Sequence, residues 1–173
     1  VLDAVSLENP VVLHFINAKS DADFVAFFAR FGFLDQKTNI LGKPTGERCE
    51  MDYETALNWH RVIKDTTLKS LGDDGEVRTR MLNSMLNAVH LKPSVDLSGE
   101  GGHARITLRP ATLLQFICME AATASINEVS VHSCDHCSRI FFTGALTGRR
   151  AHARYCSDRC RVAAMRKRNA NGN

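Results

Sequence analysis

Four cysteines in the last quarter of the chain, Cys134, Cys137, Cys156 and Cys160, are the side chains most able to do chemistry. Cys134-Asp-His-Cys137 is a CxxC pair, and Cys156-Ser-Asp-Arg-Cys160 is a CxxxC pair 18 residues further on. A CxxC turn presents two sulfurs to one ion. A CxxxC pair at a helix start places two more on one side of the first turn. Four soft thiolates suit a tetrahedral Zn2+ whose closed shell leaves no position for water, so the expected ion is a structural staple and not a reaction centre. Free thiols, an iron–sulfur cluster and a redox site are the alternatives the same residues allow.

His132, His136 and His152 lie near enough to enter a mixed site, but four thiols complete the shell without them. Cys49 and Cys118 stand alone in helical-looking stretches and read as buried apolar residues. His60, His90, Glu54 and Asp65 are the other candidates for chemistry. Glu54 and His60 are six apart and His60 and Asp65 five apart, which forms no recognisable catalytic set, so the expectation is a protein that is not an enzyme.

Charge is divided unevenly around the cysteines. Residues 1–131 carry 13 Lys+Arg against 17 Asp+Glu, whereas residues 132–173 carry 9 against 2. An acidic body therefore bears a basic module, a pattern associated with nucleic acid or another polyanion. Arg149, Arg150, Arg154, Arg159, Arg161, Arg166, Lys167 and Arg168 are the candidate phosphate contacts, since arginine forks match phosphate oxygens. On a helix, Arg159 and Arg166 share one side and Arg161 and Arg168 nearly the opposite one. One pair is then free to meet nucleic acid while the other meets the acidic body. A solvated basic tail or an internal docking surface is the competing reading.

The elements that must position these residues follow from periodicity and punctuation. Asn9–Asn17 is apolar and short, a helical turn or two or a strand. Ser20–Phe31 reads as a helix capped by Ser20 and stopped by Gly32, with Phe24, Phe27, Phe28 and Phe31 inward. Leu34–Arg48, rich in Gly, Pro and Thr, reads as an exposed loop. Asp52–Leu71 is helical, with Ala56, Trp59, Val62, Ile63 and Leu68 inward. Asp73-Asp74-Gly75 is a turn, and a further helix runs from Glu76 to Leu91 with Met81, Leu82, Met85, Leu86 and Val89 on one face, stopped by Pro93. Val95–Leu108 suggests a β-hairpin, and Pro110 fits the first position of a helix to Asn127, with Leu113, Leu114, Ile117 and Ala121 inward. In the module, residues 140–142, 143–148 and 151–155 read as strand, turn and strand. Ser157 caps a final helix whose positive end favours thiolate charge. About 40 residues build little core, so metal would supply most of that module's folding energy.

The segment Cys134-Asp-His-Cys137…Phe141…Arg149-Arg150…Arg154-Tyr155-Cys156-Ser157…Cys160 resembles the CGNR-type zinc finger. In that bacterial family the finger follows a helical ABATE domain, in stress-related transcriptional regulators. The likeness covers residues 132–168 and extends loosely back through Leu82-Asn83…Leu86, the Gly-rich stretch near Gly99–Leu108, and Leu113–Ala122. The first 50 residues carry none of it. After Cys160 the chain has Arg161-Val162-Ala163 where the family has Gly-Asn-Arg, so only the cysteines and the aromatic-Cys-Ser approach carry over. The elements predict a mainly α fold with a small β-hairpin, plus a C-terminal treble-clef-like zinc module of hairpin and helix. The resemblance implies that residues 1–131 are an ABATE-like domain and 132–173 the zinc finger with its basic tail.

The expected function is that of a zinc-binding, nucleic-acid-binding transcriptional regulator with structural Zn2+. The alternative is a protein-interaction module whose basic face docks an acidic partner. Nucleic acid, DNA ahead of RNA, is the expected partner, with the helical domain available for homodimer formation. The longest apolar runs fall far short of a membrane span, no signal peptide is apparent, and paired cysteines fit a reducing cytoplasm.

Overall fold

The computed structural model describes residues 7, 9–35, 51–70, 75–87, 89–96, 105–127 and 129–171. It is mainly helical, with two small antiparallel hairpins among the described residues. The elements are α1 (Val11–Ile16), α2 (Asp21–Phe31), α3 (Tyr53–Ser70), α4 (Gly75–Asn87), β1 (Leu91–Asp96), β2 (Arg105–Pro110), α5 (Leu113–Ile126), β3 (Ser130–Ser133), β4 (Ile140–Thr143) and α6 (Asp158–Asn171).

The start of α2 is a capping box. Ser20 Oγ accepts from the Asp23 amide at 3.3 Å, and the Asp23 carboxylate accepts from the Ser20 amide at 2.9 Å. Each satisfies a backbone donor that the first helical turn leaves without a partner. Gly32, at φ 87°, turns the chain out of the helix in a conformation open to glycine. Helix α5 is the central element, packing against α1, α3, α4 and β2. Its Ile117, Cys118, Ala121 and Ala124 are fully buried, together with Val12, Phe15 and Ile16 of α1.

Several boundaries differ from the sequence expectation. Helix α4 ends at Asn87, and Pro93 lies inside β1, opposite Leu108. Pro110 closes β2, and α5 begins after Thr112, whose Oγ1 accepts from the Gln115 amide at 3.3 Å. A hydroxyl cap outcompetes proline as the start signal because it satisfies a donor, whereas proline only lacks one. Val62, Leu68 and Leu86, expected inside, are exposed, while Thr66 and Thr67 are buried. The loop expected over 34–48 lies mostly outside the described residues, as does Cys49.

The largest correction concerns the cysteine module. Residues 151–155 form turns and bends, not a strand. The partner of β4 is β3, which precedes the first cysteine, in the register Ser130↔Thr143 to Ser133↔Ile140. The CxxC pair therefore sits in the hairpin's turn. The boundary between 131 and 132 falls inside β3. From the far side of that hairpin, Phe142 enters the same buried cluster as α1 and α5, with Val131, Ile140 and Leu146 packed against it. Asn17 ties α1 to β4 with a reciprocal pair of bonds: its Nδ2 donates to the Ile140 carbonyl at 2.8 Å, and its Oδ1 accepts from the Ile140 amide at 2.7 Å.

Candidate metal centre and basic surface

The CxxC turn closes through two backbone bonds, from Ser138 N–H to the Cys134 carbonyl and from Cys134 N–H to the Arg139 carbonyl, both 2.9 Å. Ser138 takes φ 57°, the left-handed conformation that reverses the chain behind the second cysteine. The second cysteine pair approaches through Asp135, whose amide donates to the Arg154 carbonyl at 3.1 Å and whose carboxylate pairs with the Arg154 guanidinium at 2.7 Å. Ser157 caps α6 as expected, its Oγ accepting from the Cys160 amide at 3.3 Å.

These elements bring the four sulfurs together within 4.8 Å of one another. Cys137–Cys156 is 3.5 Å, and Cys156–Cys160 and Cys160–Cys137 are 3.6 Å. A disulfide needs about 2.05 Å, so the spacing is not that of bonded pairs. Metal–sulfur bonds of about 2.3 Å in a tetrahedron place sulfurs roughly 3.8 Å apart, so the group fits a four-sulfur metal ion. Among the described residues no other group of His, Cys, Asp or Glu is placed to hold one.

The electrostatics point the same way. Burial pushes Cys134 up, but the amides of Cys156, Cys137 and His136 outweigh it and bring the thiol down to about 6. Burial, then the neighbouring sulfurs, pushes Cys156 up to about 12, and burial also raises Cys137. A cation at the centre opposes the upward push that the neighbouring sulfurs give Cys156.

His136 and His152 are exposed, outside the sulfur cluster. His132 is half-buried in β3 with its ring 5.8 Å from that of Phe141. Cys118 lies in the core of the body, where burial pushes its thiol up to about 11. His60 packs edge-on between Phe15 and Phe24 at 5.3 and 5.0 Å, and burial lowers its pKa. Glu54, Asp65 and His90 are exposed.

The eight basic residues divide by environment. Arg149 is half-buried: its Nη1 donates to the Cys156 carbonyl, and its guanidinium lies 5.7 Å from the centre of the Phe141 ring. Arg154 is held by Asp135, and Arg161 by Asp158 at 3.2 Å. Arg150, Arg159, Arg166, Lys167 and Arg168 are exposed, with no acidic partner among the described residues. From Met165 to Ala170 every residue of α6 is exposed. Arg159 and Arg166 and their opposites Arg161 and Arg168 therefore all reach solvent, and neither pair is buried against the acidic body.

Sequence reasoning missed two acids here. Asp135, inside the CxxC turn, pins the two halves of the site; an acid there facing an arginine two residues before the third cysteine is a readable signal. Glu120, in α5, is 3% exposed and accepts from the Val12 amide at 2.8 Å, so a buried carboxylate caps α1 from a residue 108 positions away. No local pattern marks such a partner.

No protein-family model matches the chain, and no curated protein matches it. Among the described residues no helix is long and apolar enough to cross a membrane.

Proposed function

We propose that the four cysteines hold a structural zinc ion in a treble-clef-like module, and that α6 presents its cations to nucleic-acid phosphates, as in a CGNR-type cytoplasmic regulator. Four thiols are the ligand set that zinc prefers among abundant intracellular metals, and the shell has no place for a reacting water. The observation that carries the nucleic-acid reading is the all-round exposure of the second half of α6 with unpaired Arg166, Lys167 and Arg168. A helix with no buried face beyond Met165 gains nothing from packing there. A polyanion would satisfy its charge and cover it.

The five cations without acidic partners set the scale of the test. Duplex binding by five phosphate contacts gives log affinity against log salt a slope of about −4.5. Replacing Arg166, Lys167 and Arg168 with Glu is expected to abolish duplex binding while metal content stays at one ion per chain. A slope near zero, or binding unaffected by the triple substitution, would sink the reading. Arg149 is unsuitable for this test, because its loss disturbs the loop that carries Cys156. Retention of a defined acidic protein by α6, with no nucleic acid bound at low salt, would favour the interaction-module alternative.

A further inference from the structure

A second cationic site lies where the helical body meets the cysteine hairpin. A cavity of about 420 Å3 opens there between α1, α2 and the residues that follow the CxxC turn. Lys19, Arg30 and Arg139 contribute three cations to its lining and Asp23 the single acid. Asp23 is already committed, since its Oδ2 accepts from the amides of Lys19 and Ser20 and from the Ser20 hydroxyl at 2.9–3.0 Å. None of the three cations has an ion-pair partner among the described residues.

The cations are held by different parts of the fold. The Arg30 guanidinium lies over the Phe31 ring, 4.9 Å from its centre, and Phe31 packs tilted against Phe27 at 5.0 Å. Arg139 belongs to the cysteine hairpin. Its carbonyl is bound by the Cys134 amide, and the next residue, Ile140, is the one locked to Asn17 of the body. The Asn17–Ile140 bonds, which do not depend on the Arg139 charge, therefore bring Arg139 to the same cavity as Arg30. Phe27 and Ala26 add an apolar wall to the same cavity.

We propose that this seam cavity binds a small phosphate monoester with an apolar body. Three cations against one committed carboxylate leave two positive charges, matching a group that carries about −1.5 to −2 at neutral pH. Guanidinium forks from two different elements, α2 and the cysteine hairpin, suit its oxygens, and the Phe27 side takes the apolar part. A ligand there contacts body and cysteine hairpin at once, so its binding strengthens the seam between them.

The test uses the full metal-loaded chain and phenyl phosphate as probe, followed by chemical-shift changes and calorimetry. Binding is expected to shift resonances of Ala26, Phe27 and Phe31, and to be tighter than for inorganic phosphate or benzoate. Arg30→Ala and Arg139→Ala are each expected to weaken it about tenfold, the loss of one charge-assisted hydrogen bond. Because Arg139 adjoins the cysteines, Lys19→Ala and Arg30→Ala supply variants remote from the metal, and metal stoichiometry is measured for all. Arg166→Ala with Arg168→Ala is expected to leave phenyl phosphate binding unchanged. The proposal is overturned if millimolar phenyl phosphate leaves the seam resonances unmoved, or if the α6 double variant loses binding as much as Arg30→Ala does. It is equally overturned if a short oligonucleotide shifts those resonances while phenyl phosphate does not, which would make the cavity part of a nucleic-acid surface.

Discussion

The helical body and the cysteine module both bury acids, and they neutralise them in opposite ways. In the body the Glu120 carboxylate is enclosed against the start of α1. Burial pushes its pKa up to about 7, although the Val12 and Val11 amides pull the other way. A lone acid of this kind is neutralised by taking up a proton. In the module four thiols crowd within 4.8 Å, and protons are a poor solution there because they leave weakly interacting sulfurs in contact. A metal ion is the neutraliser that also binds them together. One region is thus quieted by acid and the other is undone by it.

Metal removal is the strongest way to break this comparison. Chelation or Cys137→Ser is expected to release α6 and residues 150–157 while α1 to α5 and the β3–β4 hairpin keep their protection from hydrogen exchange. Structural zinc contributes roughly 10 kcal/mol or more to small modules of this type, so the loss should be complete and not graded. If the hairpin opens as well, the packing of Phe142 into the body is weaker than its burial implies.

The opposed pH dependences come next in size. Glu120 has a folded pKa raised above its ordinary 4.5, so its contribution to stability is fully present below 4.5 and is lost as pH rises through 7. A shift to about 7 corresponds to about 3 kcal/mol across that window. Glu120→Gln keeps an acceptor for the Val12 amide and is expected to remove this slope in urea titrations of the body between pH 5 and 8. Metal retention in the module is expected to run the other way, falling as acid protonates the thiolates. Parallel pH trends in the two regions would contradict the contrast.

The smallest effect sharpens the local picture. Ser138→Gly should stabilise the metal-loaded module by about 0.5–1 kcal/mol, because glycine adopts the positive φ of that turn without steric cost. A lowered melting temperature would mean that the Ser138 side chain does more than occupy the turn.

The two cysteine pairs, the Ser20 cap and the Ser157 cap were legible because each is a local pattern whose partners lie within a few residues. The helices α2, α3, α4 and α5 were legible from apolar period, with errors at the end of α4, where strand pairing took over from Pro93, and at the start of α5, where the Thr112 hydroxyl took over from Pro110. What stayed hidden depends on distant partners. Ser130-Val-His-Ser133 has no strong strand character of its own and becomes a strand because the CxxC turn folds it back on β4. Arg149 looks like any other basic residue until the carbonyl of Cys156 is placed beside it. Nothing near Glu120 in the sequence announces that the open end of α1 will cover it.

Helix α1 has only six residues, too few to persist alone, and its anchors arrive late in the chain. Glu120 and Ile140 lie 108 and 123 positions beyond the residues they hold. During synthesis, at about 5–20 residues per second, the apolar Val11–Ile16 stretch therefore leaves the ribosome on the order of ten seconds before these two anchors. For that interval the earlier-made Phe24, Phe27 and His60, which Phe15 meets in the finished fold, are the partners within its reach.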